Sequence, residues 1–241
     1  MVNLSVYYEA LSPSCATFIV QNLARIFDDD LITITNLRMV PWGNARVNKT
    51  DSTTICQFTL PKLEILVRLN GLFTLPKLKN CLYGKLSRIV STVTQPNAQN
   101  GRDECFLHKI QACAINVWND VDKYYALIHC IEFLVIEGRH SDWQSCFNSL
   151  GLSEKTILEC SNNGTGAKIQ AFYGYETAHL DPPHMFLPWV VVNNKSLGKD
   201  YRNFTTYICN EYKGKVQPDA CKLHPPDNVS SIKEQNPFHP V

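Results

Sequence analysis

The sequence has no apolar run near the roughly 18 residues that a membrane-spanning helix needs, so it predicts no membrane span. It also lacks a strong charge of either sign, because its net charge is +1, and this argues against a protein that binds nucleic acid. No two cysteines form the Cys-x-x-Cys knuckle of many structural zinc sites, and we therefore predict no metal site. What remains is a globular protein with a real core, since 44% of its residues are hydrophobic.

Ten cysteines are many for a chain of 241 residues. They favour an oxidising compartment, with metal binding as the alternative. Asn-x-Ser/Thr sequons support a secreted or lumenal protein, and they occur at Asn3, Asn48, Asn163, Asn194, Asn203 and Asn228. Our glycosylation candidates among them are Asn48, Asn163, Asn203 and Asn228. Met1 runs directly into the first predicted strand, so we expect a leader to be missing from this version of the chain; a cytosolic protein with unused sequons is the alternative.

The hydrophobic pattern opens as a β-α-β unit, which implies two parallel strands. Residues 3–9 predict a buried strand, residues 14–27 an amphipathic helix and residues 31–35 a second strand, followed by a polar loop that contains Pro41, Trp42 and Gly43. Further along, the sequence predicts helical structure over 103–161, 167–177 and 200–211. A strand is predicted over 186–192, with a hairpin turn at 193–195.

Residues 58–99 depart from this pattern. They repeat Phe-Thr-Leu-Pro-Lys-Leu, at 58–63 and 73–78, and carry six Lys/Arg and one acid, a net charge of +5. The rest of the chain then has 17 bases and 21 acids, a net charge of −4. We interpret the segment as an insertion or a gene-model read-through, with a basic docking loop as the alternative. The predicted domain spans 1–224, and residues 225–241 are predicted to be a disordered tail.

The most informative stretch is Ser12-Pro13-Ser14-Cys15. It joins the first predicted strand to the first helix, where thioredoxin-like proteins carry a redox Cys-x-x-Cys pair, and here serine replaces the first cysteine. A serine hydroxyl is hardly ionised near neutral pH and cannot form a disulfide, so a two-thiol cycle cannot run. The alternative for Ser12 is a helix N-cap, and the alternative for Cys15 is a buried inert thiol.

A family signature is split by the 58–99 segment. Cys56-Gln57 stands before it, and Asn100-Gly101-Arg102-Asp103-Glu104-Cys105 stands after it, followed by Cys113. Joined, these residues resemble the Cys-Gln-His-Gly-x-x-Glu-Cys-x-x-Asn-x-x-x-x-Cys signature of the gamma-interferon-inducible lysosomal thiol reductase family. Asn100 stands in place of its His and His108 in place of its Asn. Other stretches that look like this family, in a plant-like form with a degenerate redox motif, are Tyr7–Leu11, Val40–Gly43 and Pro188–Val192.

The resemblance implies an α/β, thioredoxin-like fold with a helical insertion between the second and third strands. It implies a lysosomal or secreted thiol-disulfide oxidoreductase that needs no cofactor and reduces disulfide-containing protein substrates, with a small thiol as reductant. It places Ser12 at the nucleophile position, Cys15 at the resolving position and Pro188 as a cis-proline facing them; an ordinary trans proline is the alternative. We predict an activity weakened or lost through Ser12. The alternatives are a client-binding relative without chemistry and a disulfide-stapled secreted protein without a redox role.

The remaining cysteines are predicted to be structural. Two pairs are spaced for short-loop bridges, Cys209 with Cys221 and Cys146 with Cys160. The resemblance adds the signature cysteines Cys56, Cys105 and Cys113, and Cys81 lies in the 58–99 segment. Connectivity cannot be derived from the sequence.

A small polar cluster stands beside Pro182-Pro183, and it consists of His179, Asp181 and His184. Imidazole and carboxylate groups can bind metal ions, so a metal site is one interpretation. We interpret the cluster as a loop, because nothing nearby supplies further ligands at helical spacing.

Overall fold

Six strands and nine α-helices occur in the residues that the structure, a computed structural model, describes: 1–47, 54–56 and 98–223. The strands are β1 (Val2–Tyr8), β2 (Thr35–Pro41), β3 (Arg46–Val47), β4 (Thr54–Ile55), β5 (Trp189–Val192) and β6 (Lys195–Ser196). The helices are α1 (Pro13–Thr17), α2 (Arg25–Asp28), α3 (Ala98–Trp118), α4 (Val121–Ile136), α5 (Ser145–Leu150), α6 (Lys155–Asn162), α7 (Thr165–Ala178), α8 (Phe204–Glu211) and α9 (Asp219–Leu223). Some of the predictions fall on residues that the structure does not describe, namely those for the segment 58–97, Cys81, Asn48, Asn228 and the tail.

The central sheet has the strand order β2–β1–β5–β6. β2 lies parallel to β1, with Leu37 opposite Leu4. β5 lies antiparallel to β1 on the other side, with Val192 opposite Leu4, and forms a hairpin with β6. A central strand with a parallel neighbour on one side and an antiparallel hairpin on the other is the sheet of a thioredoxin-like fold. The predicted fold class is therefore confirmed.

The connection from β1 to β2 is helical, as predicted for residues 14–27. α1 continues through a π-helical stretch, Phe18–Leu23, and leads to α2. Phe18, Ile19 and Leu23 are buried in the main core together with Leu4 of β1. The apolar stripe of this segment therefore holds the turn Ser12–Cys15, the candidate redox turn, at the carboxyl end of β1.

The predicted strand over 31–35 is wrong, because β2 begins only at Thr35 and runs through the residues predicted to start a loop. Leu31–Ile34 form a 3₁₀ turn, in which residues three apart share one side, and both Leu31 and Ile34 are buried. The Thr35 hydroxyl donates a hydrogen bond to the Leu31 carbonyl oxygen at 2.7 Å and closes this turn. The apolar spacing that resembled a strand thus comes from a tight helical turn.

The predicted helical insertion lies between β2 and β5. It contains the hairpin β3–β4, helices α3 to α7 and a 3₁₀ turn at His140–Asp142. α3 packs against β2, α4, α6 and α7, so it forms the layer between the sheet and the outer helices. The helical predictions for 103–161 and 167–177 are confirmed.

Four disulfides staple the described residues: Cys56–Cys105, Cys113–Cys160, Cys130–Cys146 and Cys209–Cys221. The expected pairing of Cys146 with Cys160 is wrong. Cys146 on α5 bonds Cys130 on α4, and Cys160 on α6 bonds Cys113 on α3, because α5 packs on α4 and α6 packs on α3. Cys130 was not among the predicted disulfide cysteines.

The C-terminal part returns to the sheet. Asn193 and Asn194 have φ angles of 45° and 64°, the left-handed conformation of a tight hairpin turn, which confirms the turn at 193–195. A 3₁₀ segment, Gly198–Asn203, leads into α8 and takes the first part of the helix predicted over 200–211. α9 was not predicted. No helix among the described residues is both long and apolar enough to cross a bilayer.

Candidate functional site

The candidate redox turn, Ser12–Cys15, contacts the loop of the proline that precedes β5. Ser12 stands at the N-cap of α1 with extended backbone, and its side chain makes no capping hydrogen bond. The Ser12 and Ser14 hydroxyl oxygens are 2.9 Å apart, and the Ser14 hydroxyl donates to the Leu187 carbonyl oxygen at 3.2 Å. The Leu187–Pro188 peptide bond is cis. The start of the first helix and this proline loop therefore form one surface at the carboxyl end of β1.

Cys15 is the only free cysteine among the described residues, and its side chain is fully buried. The Glu9 N–H donates to its sulfur at 3.5 Å. Burial raises the pKa of the Cys15 thiol to about 12, against smaller opposing effects of hydrogen bonds from the Glu9 N–H and the Ser12 side chain. The thiol is therefore protonated near neutral pH, and it lies within hydrogen-bonding reach of Ser12.

Glu9, which stands three residues before Ser12, is a second polar residue near the turn. It is almost fully buried, with only 4% of it exposed. The backbone N–H and side-chain amide of Asn44 donate to Glu9 Oε1 at 2.9 and 2.8 Å. Burial raises the pKa of Glu9, while these two hydrogen bonds oppose the shift. Gly43 has a φ of +58°, and a Cβ there would stand 2.1 Å from Glu9 Cγ, so both conformation and space require glycine.

His108 lies behind the same strand end and is fully buried. The Ala10 N–H donates to its Nε2 at 3.0 Å. Burial lowers the pKa of His108 to about 3, so the ring is neutral. Because Nε2 accepts a hydrogen bond, the ring proton is on Nδ1, and Nδ1 lies 3.7 Å from Cys56 Sγ.

A buried polar chain continues from Tyr8 into the helical layer. The Tyr8 hydroxyl donates to Gln111 Oε1, and Gln111 Nε2 donates to Glu132 Oε1, each at 2.7 Å. Burial raises the pKa of Glu132 well above its ordinary value, and burial together with the charge of Glu9 raises that of Glu104 to about 9. Oε1 of Glu104 and Oε2 of Glu132 are buried and have no hydrogen-bond partner among the described residues.

Replacing Glu104 with glutamine is expected to remove part of the pH dependence of folding. Folded Glu104 keeps its proton up to about pH 9, whereas the unfolded carboxyl loses it near 4.5, so its contribution to stability falls as pH rises between these values. The gain of Glu104→Gln over wild type should therefore grow by up to about 1.4 kcal/mol per pH unit within this window. Urea unfolding at several pH values measures it. Glu159→Gln, at an exposed position on α6, should follow wild type. Parallel pH profiles of Glu104→Gln and wild type would contradict the assignment.

The structure places Ser12 beside Cys15, and Ser14 between them contacts Leu187, the residue before Pro188. It does not bring His179, Asp181 and His184 into a metal-binding group within the described part of the chain. His184 lies 3.2 Å from Asn44 Oδ1, and the His179 ring lies against Tyr175 instead. Of the glycosylation candidates in this part of the chain, both Asn163 and Asn203 are exposed.

The sequence reasoning missed the buried polar group behind the turn. Glu104, His108 and Gln111 are spaced by four and three residues, so they share one face of α3. Their helical spacing was the available signal, although other polar residues of α3 obscure it. Glu132 stands between two apolar residues of α4, Ile131 and Phe133, and gave no such signal.

Comparisons with known proteins find sequence relatives and one solved structure. The family model described as Gamma interferon inducible lysosomal thiol reductase (GILT) matches residues 3–64 and 62–150. The Arabidopsis thaliana protein named Gamma-interferon-responsive lysosomal thiol protein is 32% identical over 224 residues, which cover 91% of this chain and 75% of that protein. The Mus musculus Gamma-interferon-inducible lysosomal thiol reductase is 28% identical over 222 residues, 91% of this chain and 71% of that protein. The crystal structure of Chlamydia trachomatis DsbA has a TM-score of 0.49 and 10% identity, over 87% of this chain and 85% of that chain.

Proposed function

This chain belongs to the gamma interferon inducible lysosomal thiol reductase family, and we propose that it is a thiol-disulfide oxidoreductase acting on protein disulfides, weakened by Ser12. The observation that carries the proposal is the position of Cys15. It lies in the turn that follows β1, within hydrogen-bonding reach of Ser12, while Ser14 beside it contacts the loop of the cis-proline Pro188.

The chemistry of this site has one thiol where a complete cycle uses two. In the complete cycle, a thiolate attacks a substrate disulfide, and a second cysteine displaces the substrate from the mixed disulfide. With Ser12 in the first position, Cys15 can only form the mixed disulfide and release the other substrate sulfur as a thiolate. An external small thiol must then attack this mixed disulfide and regenerate Cys15. We therefore propose a slow monothiol cycle driven by a small-thiol reductant.

The setting that we propose is lysosomal or secreted. Four disulfides in the described residues support an oxidising compartment during folding. The exposed sequons at Asn163 and Asn203 support glycosylation there.

Replacing Cys15 with serine tests this function. With glutathione as reductant and a disulfide-linked, self-quenched peptide as substrate, wild type should show slow turnover, and Cys15→Ser should reduce it by at least about tenfold. Ser149→Ala, at an exposed position on α5, is the control and should keep the wild-type rate. Turnover that survives Cys15→Ser would rule out this site.

A second candidate function is client binding without chemistry. It is favoured by the full burial of Cys15 and by Met185, which is 80% exposed in the loop before Pro188 and offers a flexible apolar contact. Under this alternative, wild type would show no turnover above the background of glutathione. Wild type and Cys15→Ser would then bind a disulfide-containing client with the same affinity. The monothiol cycle instead requires that Cys15→Ser no longer forms a mixed disulfide with the client.

A further inference from the structure

A second sulfur centre lies behind the redox turn. Cys56 follows β4 and is bonded to Cys105 on α3, and Glu104 and His108 of the same helix lie beside it. One ligand-type atom from each of Cys56, Glu104 and His108 lies within 4.8 Å of the other two, and all three residues are buried. Gly101 permits this close approach, because a Cβ there would stand 2.9 Å from the Cys56 carbonyl oxygen.

The tautomer of His108 decides what this group can do. A histidine that binds a metal through one ring nitrogen carries its proton on the other, where it acts as a hydrogen-bond donor. Nε2 of His108 instead accepts the Ala10 N–H, so the proton is on Nδ1, the nitrogen that faces Cys56 Sγ at 3.7 Å. This arrangement does not suit a metal ligand, but it does suit a hydrogen-bond donor to sulfur.

We infer that Cys56–Cys105 is a second redox-active disulfide, in which His108 Nδ1–H stabilises Cys56 as the leaving thiolate. Cys105 is the more exposed of the two residues, since it is partly exposed and Cys56 is only 7% exposed. A thiolate from a small thiol attacks Cys105 Sγ, the Cys56–Cys105 bond breaks, and its electron pair stays on Cys56 Sγ. A second molecule of the thiol then displaces the first from Cys105. Overall, two thiols become one disulfide, and Cys56 and Cys105 become a dithiol.

The surroundings of Cys56 favour this leaving group. A hydrogen bond to a thiolate is charge-assisted and stronger than one to a neutral sulfur, so Nδ1–H stabilises the product more than the disulfide. Thiol-disulfide exchange is faster when the thiolate of the leaving sulfur is more stable. Glu104 does not oppose the charge, because burial and the charge of Glu9 raise its pKa to about 9 and keep it neutral near pH 7. In the reverse reaction, the dithiol of Cys56 and Cys105 reduces a substrate disulfide and supplies both electrons, which the single thiol at Cys15 cannot do alone.

Two successive residues after β1 connect the two sulfur centres. The Glu9 N–H donates a hydrogen bond to Cys15 Sγ, and the Ala10 N–H donates one to His108 Nε2. The inference does not depend on Cys15, however, because no atom of Cys15 takes part in the exchange. It therefore stands or falls separately from the monothiol cycle.

The test is the rate at which dithiothreitol opens each disulfide of the folded protein. Samples are quenched with iodoacetamide at intervals, and each cysteine is scored by mass spectrometry. Cys209–Cys221 is the internal control, with cysteines that are 9% and 4% exposed; because Cys105 is more exposed than either, the His108 variants separate leaving-group chemistry from access. In wild type, Cys56–Cys105 should open at least about tenfold faster than this control, as expected for a better leaving group.

Two variants separate a chemical role of His108 from a structural one. The amide oxygen of His108→Gln can stand near the Nε2 position and accept the Ala10 N–H, but the variant places no donor at the Nδ1 position beside Cys56. The opening rate of Cys56–Cys105 should therefore fall by about tenfold. His108→Asn keeps a donor near the Nδ1 position and should stay within about threefold of wild type. Opening of Cys209–Cys221 should not change in either variant.

Three outcomes would overturn the inference. One is a wild-type rate for Cys56–Cys105 no higher than that for Cys209–Cys221, a comparison that needs no variant to fold. Another is an unchanged rate in His108→Gln. The third is faster opening of every disulfide in both variants, which would mean that His108 only stabilises the fold.

Discussion

Replacing Ser12 with cysteine is expected to raise the turnover of a protein disulfide by roughly 100-fold or more, because it restores the missing nucleophile of a two-thiol cycle. Position 12 is partly exposed and stands at the N-cap of the helix that begins at Pro13. Backbone N–H groups at a helix start lower the pKa of a thiol, so a cysteine there would be far more ionised than Cys15. The Ser12 side chain already reaches Cys15, which could then resolve the mixed disulfide inside the protein.

The matched control is Ser14→Cys, which adds a thiol two residues along on the same exposed surface. It should not restore turnover, because it does not reproduce the Cys-x-x-Cys spacing. The double variant Ser12→Cys/Cys15→Ser should form mixed disulfides but release them slowly. Steady-state rates with glutathione and mass spectrometry of trapped intermediates provide the measurements. A folded Ser12→Cys variant with wild-type turnover would show that the redox site has been assigned to the wrong turn.

Replacing Cys113 and Cys160 with alanine is expected to lower the free energy of unfolding by about 4 kcal/mol, a large part of the stability of an ordinary domain. The bond ties α3 to α6 across 47 residues, and its loss restores the corresponding chain entropy to the unfolded state. Both cysteines are buried, so the double variant also loses packing.

The comparison variant is Cys209→Ala/Cys221→Ala, which removes a bond across only 12 residues. Loop entropy predicts a loss of about 3 kcal/mol there, roughly 1 kcal/mol less. Chemical denaturation of both double variants and wild type, without reductant, measures the difference. If Cys113→Ala/Cys160→Ala were the more stable of the two, loop length would not govern stability in this protein.

Much of the fold could be predicted from local patterns. The strand predicted over 3–9 and the helix predicted over 14–27 follow from hydrophobic periodicity, and they correspond to Val2–Tyr8 and to the helical segment that begins at Pro13. The same reasoning failed at Leu31–Ile34, because the alternation of Ile32 and Ile34 with threonines resembles a strand, whereas Leu31 and Ile34, three apart, share one side of the 3₁₀ turn that forms. Only the contacts of Leu31 and Ile34 with the core distinguish the two.

The cysteines show the limit of reasoning from spacing. The 12-residue bridge between Cys209 and Cys221 was predicted, since so short a loop brings its ends together at little cost. Cys146 was paired with the wrong partner, and Cys130 was overlooked, because the bond depends on which helices pack together. Spacing along the chain carries no information about that packing.

By itself, the sequence determined that the turn Ser12–Cys15 carries one sulfur instead of two, because the identity of residue 12 needs no coordinates. It also determined the family, since the signature survives on both sides of a long interruption. Only the tertiary structure decided that Cys15 is enclosed and protonated, that Cys56 is bonded to Cys105, and that His108 Nδ1 lies 3.7 Å from Cys56 Sγ. The reason is that residue types are local, whereas burial and hydrogen-bond direction arise from groups that lie far apart in the chain and meet only when it folds.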